Sequence, residues 1–116
     1  HAPTLSFPVH GTLMIEPTES ESLAELNNFI DVMLNIWKEI QEVKNEEADK
    51  NDNVLVNAPH PEYEIVNDNW EHSYTREKAA YPIESVRENK CWVNVARVDK
   101  TLGDRKLLPT RYGTFE

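Results

Sequence analysis

An apolar stripe at helical spacing through residues 23–43 constrains the fold more than any other feature of the sequence. Its members recur every three or four positions and polar side chains occupy the opposite positions, which is the pattern of a long amphipathic helix. We expect this helix to form the core of the chain, with Trp37 buried, so that Trp37→Ala would cost about 3–5 kcal/mol. The main positions of the stripe are Leu23, Leu26, Ile30, Met33, Trp37 and Ile40.

The sequence offers two starting points for this helix. A capping box can form between Thr18 and Glu21 or between Ser22 and Glu25. In either pair the hydroxyl would accept a hydrogen bond from an orphan backbone N–H, and the glutamate would return one. The helix is expected to end within residues 44–48, before a polar loop.

Two short apolar segments before the helix predict β-strands. Leu5, Phe7 and Val9 occupy alternate positions, although two nearby prolines limit this segment to an edge or bulged strand. Residues 12–16 form the second segment. The two strands could pair as a hairpin or run on as neighbours.

The combination of strands and helix predicts an α+β fold. We expect residues 1–116 to form a single domain with two parts. Residues 1–50 would hold the strands and the long helix, and residues 51–116 would form an irregular extension.

The extension has weak patterns of regular structure. Aromatic residues are spread along it, which is typical of a chain that wraps over a larger surface of the same protein. The expected elements are a short helix after Pro61, helical turns at 75–80 and 83–89, an extended segment at 91–98 and a last strand at 106–108.

Composition excludes several classes of function. The net charge of -9 makes nucleic acid and anionic membranes improbable partners, because both carry negative charge. No stretch approaches the roughly 20 apolar residues needed to span a bilayer. Three glycines are too few for the known phosphate-binding loops. A single cysteine and no visible signal peptide favour a reducing compartment.

Candidate sites for chemistry are few. The histidines and carboxylates lack the spacing of known metal motifs, so no metal site is predicted. Cys91 stands beside Trp92 and Val93, and we expect it to be buried and inert.

A mixed-charge cluster lies near the end of the sequence and contains Arg97, Asp99, Asp104 and Arg105. It can be interpreted as a solvated ion-pair surface or as a site where arginines capture an anion. Spacing alone favours the ion-pair surface.

Several stretches resemble glycine dehydrogenase (decarboxylating), the pyridoxal-phosphate-dependent P-protein of the glycine cleavage system. They occur in the order of that family, and they resemble its C-terminal region. The stretches are 1–4, 6–9, 11–21, 57–60, 70–72, 74–77, 79–82, 87–90, 97–99 and 103–105.

This resemblance implies that the chain is a non-catalytic C-terminal fragment of a larger fold-type-I enzyme, similar to aspartate aminotransferase, and forms part of its small domain. The cofactor lysine of the family follows a histidine, and no His-Lys pair occurs here, so pyridoxal phosphate is expected in the parent enzyme and not on this fragment. Arg97 and Arg105 are the candidates for lining the substrate channel.

The resemblance also implies partners and a location. The partners would be the upstream pyridoxal-phosphate domain, glycine and the lipoylated H-protein, and the isolated fragment is expected to self-associate. Bacterial cytoplasm is the expected location, or the mitochondrial matrix if the source is eukaryotic.

The sequence departs from the family at two places, and a separate alternative to the family's function stays open. Residues 12–16 lack the arginine that grips the substrate carboxylate in many fold-type-I enzymes, and no Cys-x-Cys sequence follows Arg105. The alternative is a free-standing acidic module that binds a partner protein and has no enzymatic activity.

Overall fold

The computed structural model describes residues 3–98, and its secondary structure is a mixture of helices with a two-stranded sheet, compatible with the α+β class. Two compact units divide the chain between Leu34 and Asn35, within a helix. The division expected at residue 50 stays a prediction. No helix in the described part of the chain is long and apolar enough to cross a membrane.

The first unit contains an antiparallel pair of short strands. Strand β1 (Thr4–Leu5) pairs with β2 (Leu13–Met14), which selects pairing over a simple succession of neighbours. The prediction of a longer strand through Phe7 and Val9 is wrong. Ser6 adopts a positive φ of 55° and leaves the extended conformation, and Pro8 has no N–H for a ladder.

The long helix α1 (Leu23–Lys44) has 22 residues and starts at the second of the two capping boxes. Ser22 Oγ accepts a hydrogen bond from the Glu25 backbone N–H at 3.1 Å. The Ser22 carbonyl accepts a second from the Leu26 N–H at 3.1 Å. The first bond satisfies one of the donors that every helix start leaves unpaired, and the second is the first backbone bond of the helix.

The expectation that α1 forms the core, with Trp37 buried, is wrong for this chain. Both units have exposed apolar side chains on α1. In the first unit the side chain of Leu23 is 74% exposed, and in the second unit that of Trp37 is 59% exposed. Glu39 is the one buried residue of the helix. A substitution cost of about 3–5 kcal/mol therefore no longer follows for Trp37→Ala, because that cost requires burial.

The second unit is built from short helices around a small and partly polar interior. After α1 come α2 (Val54–Asn57), α3 (Glu62–Ile65), α4 (Arg76–Ala80) and α5 (Glu84–Glu88). Helix α3 lies against α4. The buried residues of the described chain are Glu39, Asn53, His60, Pro61, Ala79 and Ala80.

Helix α2 is absent from the sequence prediction, and its start explains why it forms. Asn53 caps it, because its Oδ1 accepts from the backbone N–H groups of Leu55 and Val56. A cap of this kind overrides the low helix propensity of a segment with two valines.

One expectation for the end of the described chain is wrong, that of a buried Cys91. The extended segment expected at residues 91–98 pairs with no described strand. Cys91 is exposed rather than buried. The strand expected at residues 106–108 lies outside the described residues.

Candidate functional site

A hydrogen-bonded group of five side chains joins the loop before α2 to the segment before α4. We call it the histidine cluster. Its members are Asp52, Asn57, His60, His72 and Tyr74.

Asp52 and His72 form the first contact of the cluster. The Asp52 Oδ1 atom lies 2.8 Å from His72 Nδ1. The backbone N–H of Ser73 donates to Asp52 Oδ2 at 2.6 Å, and Ser73 Oγ donates to the Asp52 carbonyl at 3.0 Å. Residues 21 positions apart are thereby tied by both side-chain and main-chain bonds.

Tyr74 forms the second contact of the cluster, through its hydroxyl. The amide of Asn57 donates to Tyr74 OH at 3.1 Å and to Asp52 Oδ1 at 2.8 Å. His60 Nε2 lies 2.8 Å from the same hydroxyl. The His72 and Tyr74 rings stack at 5.0 Å. Asn57 therefore links the Asp52–His72 contact to the His60–Tyr74 contact.

The electrostatics of the cluster follow from its hydrogen bonds and its burial. The Ser73 N–H and then His72 lower the pKa of Asp52 to about 2. Burial lowers the pKa of His60 and raises the pKa of Tyr74. Both changes favour the uncharged forms of the imidazole and the phenol. The cluster is therefore suited to holding two segments together.

We expect acidification to weaken the fold through Asp52. Folding lowers the pKa of Asp52 to about 2, while an unfolded aspartate has a pKa of about 3.9. The stability from a lowered carboxyl pKa is present above the unfolded pKa and is lost as pH falls through the folded pKa, here from about pH 4 to about pH 2.

Urea unfolding at a series of pH values measures this effect. The free energy of unfolding of Asp52→Asn should depend less on pH in that window than the free energy of unfolding of the original chain. Equal slopes for the two proteins would contradict the assignment.

A cavity of about 280 Å³ lies beside the cluster in the second unit, with His60 in its wall. Glu39, Lys78, Lys90 and Cys91 also line it, and the remaining lining is apolar. Lys78 forms an ion pair with Glu42. The cavity combines an apolar body with a few polar groups, which is the composition of small-molecule sites.

The structure places one of the two predicted channel arginines. Arg97 is exposed at the end of the described chain, and Arg105 lies outside it, as do Asp99 and Asp104. The two arginines are therefore not seen together. Within residues 3–98, no group of three or more histidine, cysteine or acidic residues is arranged to hold a metal ion.

Sequence reasoning missed the histidine cluster and the cavity as sites. The asparagines and aspartates near residue 52 indicate only a turn, and His72 and Tyr74 have no periodic relation to them. The aromatic residues of the extension were the one available signal, because they indicated a wrapping chain.

Comparison with known proteins gives a consistent match. A family model described as "Glycine dehydrogenase, C-terminal domain" matches residues 1–60. Over all 116 residues, the chain is 96% identical to a glycine dehydrogenase (decarboxylating) from Bacteroides thetaiotaomicron and 84% identical to one from Bacteroides fragilis. A protein of the same name from Bordetella avium is 56% identical over 108 residues, or 93% of the chain. The chain spans 12%, 12% and 11% of the lengths of these relatives.

Proposed function

The chain belongs to the family of glycine dehydrogenase C-terminal domains, and from this premise we propose that it is the non-catalytic C-terminal part of a longer glycine-decarboxylating enzyme. The observation that carries the proposal is the 96% identity over the whole chain, combined with coverage of only 12% of that relative. Most of the longer protein then lies outside this chain.

The longer enzyme would be an oxidoreductase of the glycine cleavage system. It would decarboxylate glycine and pass the aminomethyl group to the lipoyl arm of the H-protein. Pyridoxal phosphate would supply the electron sink for loss of the carboxyl group. The upstream part would have the fold-type-I architecture and hold the cofactor, and the bacterial relatives support a cytoplasmic enzyme.

The cavity beside the histidine cluster does not fit the cofactor. A phosphate group is held by backbone N–H groups at a helix start or by guanidinium donors. The cavity described above has no arginine in its lining, and the N–H groups of Leu55 and Val56 at the start of α2 are already bonded to Asn53 Oδ1. No step of the reaction is therefore assigned to a cofactor on this chain.

The role of this chain would be to pack on the upstream domain and help to close the substrate channel. Exposed apolar side chains on α1 support this role in each unit. They are Leu23, Ile30 and Leu34 in the first unit, and Trp37 and Ile40 in the second. Exposed apolar surface of this kind is typical of a face that another part of a protein covers. Arg97 and Arg105 would line the channel.

Labelling with pyridoxal phosphate tests the division of roles. We expect borohydride reduction to leave scattered, low-level adducts over the lysines of the isolated chain, because no lysine within residues 3–98 lies in a phosphate-binding site and none in the sequence follows a histidine. Mass spectrometry of the digested protein measures the adduct at each position. Lys90, whose pKa is lowered by burial, should carry more adduct than exposed Lys50 but far less than one per chain. Stoichiometric modification at one lysine would contradict the proposal.

The isolated chain should also self-associate. Its exposed apolar side chains have lost the surface they are proposed to cover, and open strand edges add to the tendency. Light scattering across a concentration series should show a dimer or a larger species as concentration rises. A monomer at every accessible concentration would contradict this expectation.

A further inference from the structure

The cavity of the second unit has charged groups in its wall in addition to its apolar lining. Most of the lining is aliphatic or proline, including Ile36, Leu55 and Pro59. Glu39, Lys78 and Lys90 line the same cavity. Glu39 is buried and Lys78 and Lys90 are half-buried, so a ligand that pairs with them gains more than it would at an open surface.

Glu39 is the acidic residue in the lining of the cavity. It is 7% exposed, and its Oε1 accepts a hydrogen bond from the Asn35 amide at 2.9 Å. The nearby ammonium of Lys78 is already bonded to Glu42, so two carboxylates share one cation. Burial raises the pKa of Glu39, and the pairing with Asn35 and Lys78 offsets this only in part. A second cation beside Glu39 would complete the pairing.

Lys90 is a basic residue in the lining of the same cavity. Its ammonium lies 4.9 Å from the centre of the Trp92 ring, and burial lowers its pKa. Within residues 3–98, no carboxylate lies within ion-pair distance of it. Burial lowers the pKa of His60, and the charge of Lys90 contributes to the same shift. His60 is therefore favoured in its neutral form and does not act as a second cation beside Lys90. An anion beside Lys90 would have no competing partner among the described side chains.

We propose that this cavity binds a short aliphatic molecule with an ammonium group at one end and a carboxylate at the other, the ammonium at Glu39 and the carboxylate at Lys90. The size of the cavity suits such a molecule. A space of about 280 Å³ holds roughly nine water-sized groups at about 30 Å³ each. A straight-chain ω-amino acid such as 6-aminohexanoate has this number of non-hydrogen atoms. The proposal is independent of the glycine-decarboxylating function.

Cys91 provides a direct readout of an occupied cavity. It is the single cysteine of the sequence, it is exposed, and it lines the cavity, so a bound molecule should shield its thiol from iodoacetamide. At about ten times the Kd, 6-aminohexanoate should slow alkylation about tenfold. Hexanoate and hexylamine each carry one of the two charged ends, and at the same concentration they should slow it much less.

Two variants and a control locate the charges. Lys90→Met and Glu39→Gln should each lose the protection by 6-aminohexanoate, while Lys50→Met, at an exposed loop position, should keep it. The rate with ligand is compared with the rate without it for each protein, so a change in intrinsic thiol reactivity cancels. Far-UV circular dichroism checks the fold of each variant, and Lys90→Met carries the test if Glu39→Gln unfolds. Absence of protection, equal protection by all three probes, or full protection in a folded Lys90→Met protein would overturn the proposal.

Discussion

Asn53→Ala is expected to lower the free energy of unfolding of the chain by about 2–4 kcal/mol. The side chain is 3% exposed and makes hydrogen bonds in two directions. Its Oδ1 accepts from Leu55 N at 3.1 Å and from Val56 N at 3.0 Å, which caps α2. Its amide donates to the Asp49 carbonyl at 2.7 Å and to the Lys50 carbonyl at 3.2 Å. Alanine would remove the cap and leave those carbonyls with one donor fewer.

Urea unfolding at low protein concentration measures this loss, and two further variants show its origin. Asn53→Asp keeps the acceptor oxygen and removes the amide donors. Its free energy of unfolding should therefore lie between those of the original chain and Asn53→Ala. Asn51→Ala changes an exposed residue of the same loop and should alter stability by less than about 0.5 kcal/mol. Equal destabilisation by Asn53→Ala and Asn51→Ala would show that the Asn53 bonds do not hold this loop.

Trp37→Glu is expected to weaken association between this chain and a truncated relative that lacks the matching segment by at least about 30-fold. Trp37 is 59% exposed here, and the proposed function places it against the upstream domain. Large aromatic residues contribute about 2 kcal/mol or more at the centre of an interface. A glutamate in the same place would also have to be buried as an unpaired charge.

Lys38→Glu is the matched control for this substitution. Lys38 is the next residue on α1 and is also exposed, so Lys38→Glu alters charge at the same level of the helix. It should weaken association much less than Trp37→Glu. Isothermal titration calorimetry measures both affinities. Equal losses would mean that charge, and not apolar contact at Trp37, controls the association.

The helix and its surroundings show what periodicity can and cannot predict. The spacing of Leu23, Ile30 and Trp37 is sufficient to place a helix, because a turn of 3.6 residues brings them to one side. Choosing Ser22 over Thr18 as its cap required coordinates, since both satisfy the same pattern. Burial was not predictable either, because an apolar face indicates a need for cover and does not say which chain supplies it.

The histidine cluster and residues 91–98 illustrate the limits for non-local structure. Asp52 and His72 are 20 positions apart and meet through a path that no local propensity determines. The β-branched residues near Val93 favour a strand, yet a strand also needs a partner, and the described chain offers none there. Tertiary context decided both outcomes.

Release of labelled carbon dioxide from carboxyl-labelled glycine tests the proposed function most directly. Three samples, each supplied with pyridoxal phosphate and lipoylated H-protein, are compared with a full-length relative: this chain alone, the relative truncated before the matching segment, and the truncated protein mixed with this chain. The proposed function predicts no release from the chain, little or none from the truncated protein, and restored release from the mixture. Release by the chain alone, undiminished release by the truncated protein, or a mixture that stays inactive although both parts are folded would contradict it.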